Sequence, residues 1–158
     1  MADLGIPAAF YFALSLVGGD EIDANFQEVS GLDAEVVVAE IREGGENRFV
    51  HKLPSAIKHQ NLVVKRGIVE TNSELFRWMK STMEGGLTTS IEPKTLTVSL
   101  LNHEDKPMVI WTVHQAFPVK WQFAGIGAQD NSAAVEIIEF AYQQLERSIV
   151  QELPNSKN

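Results

Sequence analysis

Residues 10–17 (FYFALSLV) form an aromatic and aliphatic run that stops at Gly18-Gly19-Asp20, the pattern of a strand ending in a turn. Residues 32–41 predict a second, longer strand. Leu32, Ala34, Val36 and Val38 fall on one of its faces, and Val37, Ala39 and Ile41 on the other. Apolar residues on both faces imply that both are at least partly covered, by the fold or by a neighbour. Residues 43–60 lose any clean period and carry Gly44-Gly45 and Pro54, which predicts a long loop. Phe49, Val50, Leu53 and Ile57 are too apolar for a disordered tether, so the loop is expected to be ordered and to pack on something. Residues 61–70 then predict a strand with Lys65 and Arg66 near its middle.

One helix is expected, over residues 72–84. Thr71 and Glu74 fit a capping box, and Leu75, Trp78, Met79 and Met83 make the stripe of a single buried face before Gly85-Gly86 ends it. Beyond it, residues 95–101 alternate, 102–107 form a polar turn and 108–117 return, which makes a hairpin. Pro118 is expected to separate a further strand over 119–123, and 133–142 to form the last, with Glu136 and Glu139 on opposite faces. About seven strands and one helix, without βαβ alternation, predict a mainly β fold, an antiparallel β-sandwich or barrel with one packed α-helix. A single domain over residues 1–150 and a short disordered C-terminal tail over 151–158 complete the expected organisation.

The length of 158 residues suits one domain with a proper core. The absence of cysteine leaves stability to packing and excludes disulfides and Cys-ligated metals. A formal net charge of −8 argues against nucleic-acid binding and against docking on anionic lipid. It also opposes self-association unless acidic patches meet basic ones, and the basic residues available, Arg42, Arg48, Lys52, Lys58, Lys65 and Arg66, all lie in the first half. The apolar run 6–17 has only Asp3 before it, lacks an Ala-x-Ala site, and is too short to span a bilayer as a helix. Synthesis and folding in the cytoplasm, without a signal peptide, are therefore expected.

Catalytic and metal chemistry find no foothold. His51, His59, His103 and His114 are scattered without helical spacing or an accompanying carboxylate cluster. Ser30-Gly31 lacks the G-x-S-x-G elbow, and Gly44-Gly45 lacks the length and the Lys-Ser/Thr ending of a phosphate loop. Glu43 and Glu46 read as salt-bridge partners rather than as a general acid and base. No cofactor is called for. Lys65 and Arg66 are either two solvated charges at a strand edge, or one of them pairs with Glu43 or Glu46, within the subunit or across an interface. Three blocks, FQEVSGL (26–32), REGGEN (42–47) and NLVVKRG (61–67), thus read as one subunit–subunit contact surface. Its expected members are Arg42, Glu43, Gly44, Gly45, Glu46, Asn47, Phe49, Leu53, Lys65 and Arg66.

These blocks, with KLP (52–54), LFRWM (75–79), the hairpin ending in AFPVK (116–120) and the strand over 135–142, resemble the tail tube proteins of contractile phage tails and phage-tail-like contractile injection systems. The resemblance covers roughly residues 8–147. It implies a tail tube-like β fold in six-membered rings that stack into a hollow tube inside a contractile sheath, with no enzymatic activity. It implies further that strands of adjacent subunits line the lumen and that the loop over 43–59 contacts neighbouring subunits. The implied partners are further copies of the chain, a sheath protein, a baseplate or tube-initiator protein and cargo in the lumen, with no membrane in the resting state. Assembly of this kind needs one head-to-tail contact that closes and a second that does not. Incorporation into a phage tail or a released phage-tail-like particle follows. The acidic composition is compatible with an acidic lumen. Two alternatives remain open: a tube-initiator or baseplate-proximal subunit of the same fold, and a small β-barrel holding an apolar ligand.

Overall fold

The computed structural model describes residues 10–42, 44–45, 48–68, 72–88, 90–125 and 134–150. Among these residues ten strands and one α-helix follow in order: β1 (Tyr11–Leu16), β2 (Ile22–Phe26), β3 (Glu28–Ser30), β4 (Glu35–Ile41), β5 (His51–Lys58), β6 (Leu62–Gly67), α1 (Glu74–Glu84), β7 (Lys94–Leu101), β8 (Pro107–Ala124), β9 (Val135–Ala141) and β10 (Gln144–Ile149). All pairings are antiparallel. One sheet runs β2-β1-β7-β8-β9-β6-β3, with β10 beside β8. Its two ends, β2 and β3, are consecutive in the chain. At their junction the Gln27 amide donates to the Lys65 carbonyl at 2.8 Å, so the sheet closes into a barrel.

The long strand β8 makes closure possible. Its first half pairs with β7 and β10, and its second half pairs with β9. Between them the register shifts, Lys94 facing Ala116 while Leu96 faces Val113, and Gln115 adopts a positive φ of 54°. This bulge bends the strand from one half of the barrel into the other. The predicted break at Pro118 is therefore corrected. Pro118 sits within β8, opposite Phe140, beside a second register shift before Lys120. Proline is tolerated in a strand at such a bulge.

Leu14, Phe26, Leu62, Val64, Leu96, Val98, Val113, Ile138 and Phe140 fill the barrel, and Leu75, Trp78 and Met79 of α1 complete the core. Trp78 stacks on Phe140 with ring centroids 5.9 Å apart, and its indole N–H donates to the Glu92 carbonyl at 2.9 Å. The N-cap is Ser73, whose hydroxyl accepts from the Phe76 amide at 3.2 Å. It replaces the expected Thr71–Glu74 box: Glu74 is the first helical residue, and Thr71 lies outside the described residues. The carboxylate of Glu21 accepts from the Glu74 amide at 2.6 Å, negative charge meeting the positive end of the helix. Among the described residues no helix is long and apolar enough to cross a membrane.

The main correction concerns residues 43–60. They are not one long loop, because His51–Lys58 is a strand paired with β4 along its whole length. Strands β2, β3 and β10 also escaped the sequence reading; IDANF and QLERSI carry too little apolar alternation to stand out. The predicted tail 151–158 lies outside the described residues.

Candidate assembly surface

Strands β4 and β5 form a separate two-stranded sheet, an arm standing off the barrel, and every residue in both strands is exposed. Val36 faces Ile57 and Val38 faces Pro54 on one side, while Val37 faces Ala56 and Ala39 faces Leu53 on the other. The two sets share the middle of the arm because the register shifts between Val37 and Val38. The extra residue on β5 is Ser55, whose hydroxyl donates to the Val37 carbonyl at 2.9 Å. Ile57 is 67% exposed, Phe49 60% and Leu53 47%. A two-stranded hairpin is at best marginally stable in water alone, and this one hides neither apolar face. Charges fringe it: Lys58 Nζ lies 4.0 Å from Glu35 Oε2, and Glu40 faces Lys52 across the ladder.

The arm's root is tightly held. His59 Nδ1 donates to the Asp33 carbonyl at 2.7 Å, the Gln60 amide donates to Asp33 Oδ1 at 3.0 Å, and the His59 ring lies 4.8 Å from that of Tyr142. The Tyr142 hydroxyl donates to the Gly31 carbonyl at 2.6 Å, with the Asp33 carbonyl 3.2 Å away. Gly31 has φ +85°, and a Cβ there would meet the Asn61 carbonyl oxygen at 1.9 Å, so only glycine allows this approach. Burial, with the nearby Asp33 charge, raises the Tyr142 pKa above its ordinary 10.0. The folded state therefore holds this proton more tightly than the unfolded chain. Its contribution is complete below pH 10.0 and is lost as pH rises through the higher folded value. Tyr142→Phe is expected to cost about 0.5–1.5 kcal/mol at neutral pH through the lost hydrogen bond. Urea melts repeated above pH 10.0 should show a shallower alkaline decline than in the parent chain.

The predicted surface residues divide. Arg42, Gly44, Gly45, Phe49 and Leu53 lie on the arm or at its turn, where Gly45 takes a φ of +97°. Glu43, Glu46 and Asn47 lie outside the described residues. Lys65 is on the outer face of β6, its Nζ 3.4 Å from Glu28 Oε1 on β3. Arg66 is corrected: it points into the barrel and is only 2% exposed. Its Nε donates to Glu136 Oε2 at 3.2 Å and its Nη1 to Asp23 Oδ1 at 3.3 Å. Its guanidinium carbon sits 4.6 Å from the centre of the Phe26 ring. Consecutive residues of one strand thus took opposite fates, as the pleat requires. Val36, Val38 and Ile57 also belong to the exposed arm. The two-faced apolar pattern of residues 32–41 was the signal for Val36 and Val38, the apolar content of residues 43–60 that for Ile57, and Tyr142 had none.

Residues 8–146 match the family described as T4-like virus tail tube protein gp19. The chain belongs to that family. A chain in the cryo-EM structure of the anti-feeding prophage (AFP) baseplate, 6-fold symmetrised, is 25% identical, with a TM-score of 0.73 over 96% of this chain and 100% of that one. A chain in the extended sheath–tube complex of the extracellular contractile injection system PVC is 28% identical, with a TM-score of 0.73 over 94% and 95%. Hcp1 from Salmonella typhimurium shares the fold at 11% identity, with a TM-score of 0.55 over 90% and 87%. No curated protein sequence matches. For a tail tube protein, an arm with two bare apolar faces is the part of the molecule that a single copy leaves unfinished.

Proposed function

We propose that this tail tube protein closes into six-membered rings that stack into the hollow inner tube of a contractile injection apparatus, within a sheath and upon a baseplate. The carrying observation is the arm, whose two apolar faces need cover from outside the subunit. Arg42, Phe49 and Leu53 belong to this contact, as do Gly44 and Gly45 at the turn; Glu43, Glu46 and Asn47 are assigned to it from the sequence pattern. Lys65, on the outer face of β6, supplies a charged rim. The sixfold symmetry of the AFP baseplate and the sheath–tube origin of the PVC chain support the ring number and the sheath partner. The role is structural, with no catalytic step, and its setting is a phage tail or phage-tail-like particle.

Purified protein at high concentration is expected to show rings or short tubes by negative-stain microscopy. A strictly monomeric species at every concentration would overturn the proposal. A baseplate-proximal initiator is the second reading, favoured by the match to a chain of a baseplate structure. It predicts rings that never elongate unaided.

A further inference from the structure

The arm continues a hairpin that begins in the barrel. Its inner strands are β3 and β6, with Ser30 facing Val63, and its outer strands are β4 and β5, with Glu35 facing Lys58. The stretches left between them, 31–34 and 59–62, are equal in length, so the pairing could run through without a change of register. It stops instead, and the gap is bridged through side chains. The Asp33 carbonyl accepts from the His59 ring and lies within reach of the Tyr142 hydroxyl, while the Asp33 carboxylate accepts from the Gln60 amide. The Tyr142 hydroxyl also donates to the Gly31 carbonyl, and the Asn61 side-chain amide donates to Glu139 Oε1 at 2.8 Å. Tyr142 itself stands on the barrel, in the short link between β9 and β10. There the next amide, that of Gln143, donates to the His114 carbonyl at 3.1 Å.

Every residue of β4 and β5 is exposed, so burial against the barrel does not steady the arm and its direction rests on the root. The lever is long. Seven residues at about 3.3 Å each make about 23 Å, so a swing of about 10° at the root moves the tip by about 4 Å. A gap of about 0.5–1 Å already forfeits roughly a quarter to a half of a van der Waals contact. A loosely rooted arm would therefore miss its seat on a neighbour, or lose conformational freedom in finding it. In a head-to-tail ring the same error recurs at every contact, and a rotation that does not close gives an open helix instead.

We propose that Asp33, His59 and Tyr142 are positioning residues that lock the root, so that the free subunit already holds its arm in the direction at which a ring closes. The proposal rests on the tube reading and adds to it that ring geometry is preset in the single copy. The apolar faces of the arm set the strength of the contact; the root sets its angle.

The chain has no cysteine, so Lys52→Cys on β5 and Gln122→Cys on β8, both exposed, give one spin label on the arm and one on the barrel. Label-to-label distances are measured in the isolated subunit, with the root intact and with His59→Phe plus Tyr142→Phe, which keep both rings and remove both donors. A narrow distribution in the first and a severalfold broader one in the second are expected. Without labels, the double variant should need about tenfold more protein than the parent to form rings, the factor that about 1.4 kcal/mol makes. Negative-stain microscopy should show open arcs or rings of mixed size. Ser73→Ala removes the helix cap at a stability cost of similar size without touching the root, and should leave ring shape and threshold as in the parent. An equally narrow distribution in the double variant, or a broad one in the parent, would overturn the lock. So would normal rings from the double variant at the parent's threshold, or arcs from Ser73→Ala, which would tie ring shape to stability alone. Absence of rings in the parent would sink the tube reading, and the widening of distances would then still uphold the lock. If the double variant fails to fold, Tyr142→Phe alone carries the same measurements.

Discussion

Replacing Arg66 with alanine is expected to destabilise the isolated subunit by about 3–5 kcal/mol, because it strands two carboxylates inside the barrel. For a domain of this size that is a fall in melting temperature of about 6–20 °C, readable by circular dichroism at concentrations too low for assembly. The reason lies in how completely the group is enclosed. Arg66 is 2% exposed and Glu136 3%, and Asp23 is also buried. Each carboxylate has a second donor: the Trp121 indole N–H reaches Glu136 Oε1 at 2.8 Å, and the Ser73 hydroxyl donates to Asp23 Oδ2. Through Ser73 the network continues to the Phe76 amide, tying the first turn of α1 to β2, β6 and β9. Arg66→Met combined with Asp23→Leu and Glu136→Leu should recover part of the loss, since a buried ion cluster replaced by apolar groups is often close to neutral. Recovery stays incomplete because Trp121 keeps a donor with no acceptor, worth about 1–3 kcal/mol. Lys65→Ala is the contrast. Its pair with Glu28 is half exposed and screened, so a change under about 1 kcal/mol is expected. An Arg66→Ala subunit as stable as its parent would mean that water reaches the cluster.

The contrast between neighbours Lys65 and Arg66 marks the limit of what the sequence carried. That the two point to opposite faces was legible from the strand. Which one points inward was not, because the partners that decide it, Asp23 and Glu136, stand 43 and 70 positions away. The strands β7 and β8 were legible for the opposite reason: one face of each meets the core, and alternation records it. The arm has no core-facing side, so β5 left no period to find, and Pro54 made it look like a loop. What survived in the sequence was the excess of apolar residues without a place to go, Phe49, Leu53 and Ile57 among them. That excess pointed to a contact surface, but the strand that carries it emerged only with the pairing of β5 to β4. The three charged and glycine-rich blocks likewise resolved into different parts. The first holds Phe26 in the core and Glu28 at the surface; the second places Gly44 and Gly45 at the turn of the arm; the third splits at Lys65 and Arg66.

Placing aspartate at Ile57 and at Leu53 is expected to leave the melting of the isolated subunit within about 0.5 kcal/mol of the parent, because both side chains already face water. Assembly should fail. Each apolar side chain of this size contributes about 1.5–3 kcal/mol when buried, and in the proposed six-membered ring six copies would lose it at once, about 9–18 kcal/mol per ring for each of the two positions. Burying an unpaired carboxylate would add to that cost, so the subunits should stay apart or recruit the wrong partner. The two positions lie on opposite faces of the arm, Ile57 across from Val36 and Leu53 across from Ala39. If one face meets a neighbour in the same ring and the other a subunit of the next ring, the single variants separate. One should yield no rings, and the other rings that do not stack, distinguishable by sedimentation velocity together with microscopy. Normal tubes from the double variant would remove the arm from the assembly surface. Loss of the folded subunit would instead mean that the arm packs against its own barrel, against its complete exposure in the single chain.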